Sequence, residues 1–487
     1  MSESKSSNEE PSTEVWAPTA SRGKAATSFL QKYHYTVVVV ITLMAALVAF
    51  GPNPDGLSIK AQRALGIFAL CVMLWVTSII PLQITSLLAI ILLPILGVLQ
   101  ADEAFSLFGN EAVFFILGAF IMSSVLVDCG LSTRLTCLTL KRFSTSAVRL
   151  RNAILLFAAF FSFWMSEHAV AAIFFPIVLR IVKALDLKPL ESRFGMSFFF
   201  ALAWGCVIGG IATYLGGARN PLAAGILFSE TGTHIGFLQW FSASAPVVVI
   251  MLAIALIVLT VAFKPEPVDL DAAKTVIDKE QKALGKVSLT EQGVGIIFFV
   301  TILCWITLHH LVSLANIALA SVVVMFVFRL IDWKTVEHSV NWGIILMYGG
   351  AIALGSALNS TGAAKWIVDH SIGTTALSPT MTLVLIAALS LILTEFISNA
   401  AVVSVLLPVA ISLAQSKGIS LEAVTLAVAL PSGLTYTLPM GTPATAIAYG
   451  SGYMSMKHFL RIGPVMGLIS LGVFALVATY IWPIMGV

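Results

Sequence analysis

Residues 161–176 read Phe-Ser-Phe-Trp-Met-Ser-Glu-His-Ala-Val-Ala-Ala-Ile-Phe-Phe-Pro, which places an acid and a histidine in the middle of apolar sequence. A related segment lies 232 residues downstream and aligns with the first without a gap. The aligned pairs are Ser162 with Thr394, Ser166 with Ser398, Glu167 with Asn399, His168 with Ala400 and Pro176 with Pro408. This alignment predicts that the chain contains a repeated structural unit.

The repetition extends upstream of these two segments. The same offset relates Gly118-Ala119 to Gly350-Ala351, and it continues through Ser124 with Ser356, Leu126 with Leu358 and Gly130 with Gly362. The chain is therefore predicted to be a duplicated unit. Paired polar interruptions at corresponding points of two apolar halves indicate a transporter whose binding site lies at those points.

The composition predicts a polytopic membrane protein. Hydrophobic residues make up 58% of the chain and charged residues only 10%, whereas a soluble domain carries roughly 25% charged residues. Membrane topology explains the net charge of +3, which does not indicate a nucleic-acid partner. Residues 1–30 are rich in Ser, Glu, Pro and Thr without an apolar core, which predicts a disordered cytoplasmic tail and not a signal peptide.

Eleven apolar runs are long enough to cross a bilayer, which needs about 20 residues. They lie near 34–50, 63–80, 82–98, 112–133, 198–229, 242–263, 291–309, 312–330, 341–369, 421–450 and 462–485. The two motif segments instead contain pairs of shorter apolar arms that meet at a polar tripeptide. Because such arms are too short to cross comfortably, each pair predicts a re-entrant helical hairpin with the tripeptide at its tip.

These patterns divide the chain into five parts. The parts are a tail at 1–30, a first transmembrane helix at 31–62, a first repeat at 63–263 with a hairpin at 149–186 and a broken helix at 198–230, a cytoplasmic linker at 264–290, and a second repeat at 291–487 with a hairpin at 379–417 and a broken helix at 421–450. The linker is expected to form a solvated surface helix, because its charges are mixed.

The positions of lysine and arginine predict a cytoplasmic amino terminus. The protein is expected in the inner (plasma) membrane. Only Arg219 falls within the membrane, and only Lys60, Arg63, Lys365 and Lys417 fall on the predicted external side. Because each repeat carries an odd number of spans, the second copy must be inverted relative to the first. The predicted fold is an all-α polytopic membrane protein, with about eleven transmembrane helices and two re-entrant hairpins in two inverted repeats.

Two further segments, residues 209–221 and 431–443, contain clusters of glycine and proline. Such clusters break a helix in mid-membrane, leaving amide donors at one half-helix and carbonyl acceptors at the other. Anions are stabilised at the amide ends, and sodium is stabilised among the carbonyls. Together with the hairpin tips, these segments predict two symmetry-related cation sites around one shared anion site.

With these motifs the chain resembles the divalent anion/sodium symporter (DASS) family of dicarboxylate, citrate and sulfate transporters. The resemblance covers nearly the whole chain after residue 30. A Ser-Asn-Thr triplet at each hairpin tip marks the family, and a Thr-Pro-containing unwound segment follows in each half. The second half fits this pattern with Thr394, Ser398-Asn399 and Thr442-Pro443, although Ala400 replaces the threonine of the triplet.

The first half departs from the family pattern. Ser162 and Ser166 match, but Glu167 and His168 replace the asparagine and threonine of the triplet. The dipeptide Ala218-Arg219 replaces the Thr-Pro pair. The first sodium site is therefore expected to differ from the second.

The resemblance implies an anion site between the two tips, and at least one sodium near the second hairpin. The residues expected at the anion are Ser166, Glu167, His168, Gly217, Arg219, Asn220, Ser398, Asn399, Thr442 and Pro443. The residues expected at sodium are Ser162, Ser166, Thr394 and Asn399. The family also implies a homodimer in the lipid bilayer, and no organic cofactor is expected.

Two interpretations of Glu167 remain open. In the first, Glu167 pairs with Arg219, and the guanidinium takes the electrostatic role of the first sodium. In the second, Glu167 carries a proton with His168 as its relay, which would make transport proton-coupled. Glu395, beside the second tip, is expected to be structural, pairing or capping in the hairpin.

The predicted function is secondary active transport of a small anion by an elevator-type mechanism, with sodium-coupled import of a dicarboxylate such as succinate or malate as the leading form. Alternatives of the same fold are sulfate or bicarbonate transport, coupled to sodium or to protons, and dicarboxylate exchange. An anion channel is the alternative from another class. An enzyme is not expected, because adjacency of Ser166, Glu167 and His168 does not establish a nucleophile–base geometry.

Overall fold

The computed structural model describes residues 33–308, 311–370 and 377–486. Within these ranges every regular element is helical and no strand occurs, so the predicted all-α class is confirmed. Seven described helical segments are long and apolar enough to cross a membrane. Six shorter apolar helices accompany them. The predicted disordered tail at 1–30 lies outside the described residues.

Eleven described helices precede or belong to the first half of the chain. They are α1 (His34–Phe50), α2 (Ile59–Thr77), α3 (Leu82–Ile95), α4 (Ala101–Ser106), α5 (Glu111–Asp128), α6 (Leu131–Phe143), α7 (Ala147–Phe161), α8 (Glu167–Ala184), α9 (Arg193–Gly209), α10 (Arg219–Thr231) and α11 (Phe237–Ala262). The first predicted hairpin corresponds to α7 and α8, and the first predicted broken helix corresponds to α9 and α10.

The linker and the second half supply the remaining described helices. They are α12 (Leu270–Ala283), α13 (Leu289–Thr307), α14 (Leu314–Val327), α15 (Trp333–Ser339), α16 (Trp342–Ser360), α17 (Ala363–Asp369), α18 (Pro379–Thr394), α19 (Asn399–Lys417), α20 (Leu421–Ser432), α21 (Pro443–Tyr449), α22 (Met456–Leu476) and α23 (Trp482–Met485). The order from α2 to α11 thus recurs from α13 to α22, with the second hairpin formed by α18 and α19.

Repeated glycines lie at equivalent helix crossings in the two halves. A Cβ atom on Gly118 of α5 would lie 2.8 Å from the Cβ of Ala318 in α14. A Cβ atom on Gly350 of α16 would lie 2.5 Å from the Cβ of Ser86 in α3. Both members of these pairs follow the 232-residue offset, so the repeated glycines allow the same close crossing in both halves.

Repeated tryptophans make equivalent hydrogen bonds. The indole of Trp75 donates to the carbonyl of Leu82 at 3.3 Å, and the indole of Trp305 donates to the carbonyl of Leu314 at 3.1 Å. Each bond joins the end of one helix to the start of the next, from α2 to α3 and from α13 to α14. Because a buried indole nitrogen needs an acceptor, these bonds fix the same turn in each half.

Two predicted spans are shorter in the structure than in the sequence analysis. The span predicted at 112–133 ends with α5 at Asp128, and the span predicted at 341–369 ends with α16 at Ser360. Gly130 and Gly362 follow these ends with φ of 83° and 77°, which is the left-handed conformation that terminates helices. The chain then turns into the separate helices α6 and α17.

The hairpins and broken helices form one intertwined bundle, which we call the hairpin unit (α7–α10 and α18–α21). Helix α7 packs against α9, and α18 packs against α20. The second arms cross between the halves, because α8 contacts α21 and α19 contacts α10. A second group, which we call the frame (α2, α3, α5, α13, α14 and α16), joins the halves through the α3–α16 and α5–α14 contacts.

The linker forms a charged surface helix, α12, that packs against α6 and α8. Arg180 of α8 pairs with Glu280, and Lys141 of α6 lies 2.7 Å from Asp278. The hydrogen bond from Lys141 lowers the pKa of the half-exposed Asp278 carboxyl. The mixed charges of the linker thus bind α12 to the base of the first hairpin as well as facing solvent.

Candidate functional site

The first hairpin tip is the turn between Phe161, where α7 ends, and Glu167, where α8 begins. Ser166 caps α8, because its Oγ accepts a bond from the Ala169 amide at 3.4 Å. The amide of Glu167 donates to the Gly216 carbonyl at 3.0 Å, which joins the tip to the unwound segment between α9 and α10. The tip and the first broken helix are therefore one structural unit.

The second tip is joined to its own unwound segment in a different way. The carboxylate of Glu395 accepts three bonds from backbone amides, those of Tyr436 at 3.0 Å, Thr437 at 2.9 Å and Leu438 at 2.8 Å. These amides belong to the stretch between α20 and α21, where no intrahelical carbonyl is available to them. Glu395 therefore stabilises the broken helix of the second half, whereas the sequence placed its role inside the hairpin.

Four helices begin at the same place in the hairpin unit. Their first residues are Glu167 of α8, Arg219 of α10, Asn399 of α19 and Pro443 of α21. The cap residue Ser398 accepts a bond from the Ala401 amide at 3.3 Å, as Ser166 does for its own helix. Because helix amino ends carry partial positive charge, the region they surround favours an anion.

Arg219 and Glu167 form a buried ion pair at this point. Nη1 of Arg219 lies 3.1 Å from Oε1 of Glu167, and Nη2 lies 3.3 Å from Oε2, which is a two-pronged contact. The side chains are 2% and 0% exposed. The sequence interpretation in which these residues pair is therefore the one that matches this geometry. His168 packs beside the pair, and its Nδ1 is buried without a hydrogen-bond partner.

Arg219 also reaches the second half of the chain. The amide of Asn399 is satisfied when its oxygen accepts from Arg219 Nη1 at 3.1 Å and its nitrogen donates to the Gly441 carbonyl at 3.2 Å and to Thr394 Oγ1 at 2.9 Å. Thr394 gives its single proton to the Ser432 carbonyl at 2.6 Å, so its oxygen is free to accept. One guanidinium thus connects the two hairpin tips.

Glycines give the guanidinium its space. A Cβ atom on Gly217 would lie 2.6 Å from Arg219 Nη1, and one on Gly210 would lie 3.2 Å from Nη2. A Cβ atom on Gly433, in the second half, would collide with the same group. The two unwound segments therefore enclose Arg219 from both halves.

Two adjoining cavities open from the tips. One, of about 380 Å³, is lined by residues of both tips together with the start of α16. Among them are Glu167, His168, Arg219, Asn341, Ser398, Asn399 and Pro443. The other, of about 400 Å³, shares His168 and Asn341 and is also lined by Ser166 and by Asp128 at the end of α5. The tips are thus reached from the end of the frame that carries Asp128.

The family model described as the sodium:sulfate symporter transmembrane region matches residues 31–487. This chain belongs to that family. The resemblance to DASS transporters is confirmed, and the protein is a multi-pass membrane transport protein.

Other transport proteins resemble this chain over most of its length. The sodium-dependent dicarboxylate transporter SdcS of Staphylococcus saprophyticus is 30% identical over 457 residues, which cover 88% of this chain and 88% of that one. SdcS of Staphylococcus aureus strain MSSA476 is 30% identical over 458 residues, which cover 89% and 88%. The crystal structure of the YdaH transporter of Alcanivorax borkumensis has a similar fold, with a TM-score of 0.54 and 15% identity over 95% of this chain and 99% of that one.

Three residues expected at the anion do not line the cavities of this symporter-family chain. Asn220 is fully buried and donates to the carbonyls of Gly210 at 2.9 Å and Thr213 at 2.6 Å. Thr442 caps α21 by accepting from the Thr445 amide at 3.2 Å. Gly217 lies against the guanidinium of Arg219. These residues shape the unwound segments, while the remaining expected anion residues line the cavities.

Sequence reasoning missed Asn341, which lines both cavities. Asn341 caps α16, because its Oδ1 accepts from the Ile344 amide at 3.3 Å. The available signal was an asparagine just before a long apolar run, a common helix start. A cap residue at the end of a span does not by itself indicate a cavity, so this signal does not identify Asn341 as a site residue.

Proposed function

We propose that this protein imports a dicarboxylate such as succinate or malate, coupled to sodium, by an elevator-type movement of the hairpin unit against the frame. The observation that carries the proposal is the convergence of α8, α10 and α19 on one cavity, each presenting its amino end. These ends offer backbone amides to an anion, and α8 and α19 also offer the hydroxyls of their cap serines, so that no cationic side chain beyond Arg219 is required. The sodium-dependent dicarboxylate transporters among the relatives supply the substrate class.

The anion would lie between the tips. Ser166 and Ser398 already use their oxygens to cap α8 and α19, so their hydroxyl protons remain available to the substrate. His168 lines both cavities and offers a ring nitrogen. Each such donor contributes on the order of 1 kcal/mol, and more when it bonds to a charged group.

Sodium would bind at the second tip, where the oxygen ligands suit it. If the Asn399 amide is reversed, its oxygen joins Thr394 Oγ1, which lies 2.9 Å away, and the carbonyls of Ser432 and Gly441. In this reversed orientation the Thr394 hydroxyl has one proton for several neighbouring oxygens, so a sodium ion would satisfy those left without a donor. Sodium and Arg219 would therefore compete for the same amide oxygen, and sodium entry would release Asn399 from the guanidinium.

The first cation site would be replaced by Arg219. Ser162 is fully buried and its Oγ has no hydrogen-bond partner. The Glu167–Arg219 pair is buried against the same unwound segment, because a Cβ atom on Gly216 would collide with the Ser162 carbonyl and one on Gly210 with the Glu167 carboxylate. Because this pair is neutral as a whole, it does not offset the two charges of a dicarboxylate. The charge of at least one sodium at the second tip would then assist binding.

A second candidate, dicarboxylate exchange, is favoured by the same pair. A built-in guanidinium cannot dissociate as an ion does, so it supplies no driving gradient. With fewer coupling ions, return of the empty hairpin unit would be less favourable than return with a second anion. Sulfate or bicarbonate could use the same hydroxyl and amide donors.

Uptake into proteoliposomes distinguishes these possibilities. We would measure entry of labelled succinate, malate, sulfate and bicarbonate, each with an inward sodium gradient and with choline in its place. The proposal expects saturable dicarboxylate uptake that needs sodium. Equal uptake in both media would exclude sodium coupling, uptake only against internal anion would establish exchange, and flux that neither saturates nor exchanges label would indicate a channel.

A further inference from the structure

Glu230 is a buried acid that the anion and sodium sites do not use. It lies in the last turn of α10, one residue before the helix ends at Thr231. The residue as a whole is partly buried, but both carboxylate oxygens are inaccessible to solvent and have no hydrogen-bond partner. A carboxylate in such a place loses its hydration without compensation, which costs several kcal/mol when the group is charged.

Within residues 33–308, 311–370 and 377–486, no charged side chain bonds the Glu230 carboxylate. A Cβ atom on Gly355 of α16 would lie 2.7 Å from Glu230 Oε1 and 3.2 Å from Pro408 Cγ of α19. From α16 the only other polar contact comes from Asn359, whose amide donates to the backbone carbonyl of Glu230 at 3.2 Å and not to its carboxylate. Ile226 of α10 completes this set of neighbours.

The titratable groups that the structure describes on the packed helices make no hydrogen bond to the Glu230 carboxylate. The nearest cation on α19 is Lys417, about 13 Å along the helix from Pro408, and Arg219 is about 16 Å from Glu230 along α10. Tyr348, about 10 Å from Gly355, is the only titratable residue of α16. Glu111 of α5 and His234, which follows α10, lie nearer, because both line a cavity with Phe228. Neither bonds the Glu230 carboxylate, whose oxygens have no hydrogen-bond partner. Asp128 of α5 and Glu422 of α20 are at other helix ends.

The position within the helix also disfavours a negative charge. The carbonyl end of α10 carries partial negative charge, which repels a carboxylate in the last turn. Desolvation, the absence of a partner and the helix end thus all favour the neutral, protonated carboxyl group. We propose that Glu230 is a proton-binding site, occupied in this conformation, at the contact of the hairpin unit with the frame.

The location links the proton to movement, and this step rests on the proposed elevator function. Glu230 belongs to α10 and lies beside Pro408, both in the hairpin unit, whereas Gly355 belongs to α16 in the frame. Movement of the unit past α16 would separate the carboxyl from Gly355 and expose it to water. The carboxylic acid would then release its proton to water, and the carboxylate would take a proton up again before returning.

Infrared difference spectroscopy tests the proton without transport. The carbonyl stretch of a protonated carboxylic acid should be present in the purified wild-type protein near neutral pH, shift in D₂O, and be absent from Glu230→Gln. The matched control is Glu103→Gln, which removes an exposed acid of α4 and should leave the band unchanged. Absence of a band attributable to Glu230 would overturn the proposal even if dicarboxylate transport were established.

Transport measurements test the link to movement. Wild-type exchange should slow about threefold or more between about pH 6.5 and about pH 8.5, where a dicarboxylate stays ionised. Glu230→Gln should lose that dependence, while Glu103→Gln should keep it. A pH dependence unchanged in Glu230→Gln would overturn the link. If the glutamine variant does not fold, Glu230→Met, a neutral residue of similar length, replaces it in both measurements.

Discussion

Nη1 of Arg219 lies 3.1 Å from Glu167 Oε1 and 3.1 Å from the Asn399 amide, so one nitrogen of the first half bonds both hairpin tips. These tips are separated by more than two hundred residues in sequence. The unwound segments leave room for the guanidinium because Gly217 and Gly433 have no side chains. The two repeats are therefore asymmetric at their centre, although their helices follow the same order.

The ion pair predicts non-additive losses. Glu167→Gln and Arg219→Gln should each destabilise the protein by roughly 3–5 kcal/mol, because each leaves an uncompensated buried charge. The double variant should recover part of this loss, since it leaves no charge behind. Thermal unfolding in detergent, together with anion uptake, would measure the cycle.

A surface pair provides the control for this cycle. Lys141 and Asp278 are about half exposed and should couple by no more than about 1 kcal/mol. Losses that simply add for Glu167 and Arg219, together with uptake that stops responding to a proton gradient in Glu167→Gln, would instead support a proton carrier at Glu167.

The sequence predicted the repeat because repeated residues make repeated contacts. Gly118 and Gly350 allow equivalent helix crossings, and Trp75 and Trp305 make equivalent hydrogen bonds. Because each of these residues is needed for its own contact, the repeat can be recognised from the sequence alone. The orientation of the repeats, the division at 63–263 and 291–487 and the homodimer stay predictions.

The site was less predictable where it depends on tertiary contact. The pairing of Glu167 with Arg219 could be proposed because both charges lie in apolar sequence. The bond of Arg219 to Asn399 could not, since the offset aligns Asn399 with Glu167 and gives no sign that they share a partner. Asn220 could not be placed either, because an asparagine in an unwound segment can face the cavity or the backbone, and only packing decides.

The second tip predicts the sodium dependence of transport. Asn399→Ala should raise the sodium concentration for half-maximal uptake about tenfold, because one oxygen ligand is lost, a change of about 1.4 kcal/mol. Ser404→Ala is the control, since Ser404 lies on the same helix and bonds only the Ala400 carbonyl at 2.8 Å. Sodium titrations of uptake that are identical in Asn399→Ala and wild type would place sodium elsewhere.

Substitution of the cap serines Ser166 and Ser398 should weaken the apparent affinity for the anion. Ser166→Ala and Ser398→Ala should each raise the apparent KM about five- to tenfold, because a donor to the anion and a helix cap are lost, together about 1–1.5 kcal/mol. Ser378→Ala removes the cap of α18 away from the cavities and should change stability alone. Unchanged KM values in both tip variants would show that the anion binds at another place.

Substitution of Glu395 should destabilise the second broken helix. In Glu395→Gln one carboxylate oxygen becomes an NH2 group, which cannot accept a bond from the backbone amides that it would face. The negative charge that strengthens the three hydrogen bonds would also be lost. Stability should fall by roughly 1.5–3 kcal/mol. Glu422→Gln, whose carboxylate meets only Ser420 Oγ at 3.0 Å, should have little effect. Equal unfolding temperatures for the two variants would contradict the assigned role.

A substitution at Gly433 tests the position of the Arg219 guanidinium. Gly433→Ala should displace the guanidinium, because the added methyl group would overlap it, and should lower both stability and uptake. Gly472→Ala in α22 is the control, since no other group lies within 4 Å of its added Cβ, and it should be neutral or slightly stabilising. If displacement of Arg219 is the cause, adding Gly433→Ala to the Glu167→Gln/Arg219→Gln protein should cost much less than in wild type, because the shorter glutamine leaves room for the methyl group. A loss of the same size in both backgrounds would mean that the alanine disturbs the unwound backbone itself, and the guanidinium would then have to lie elsewhere.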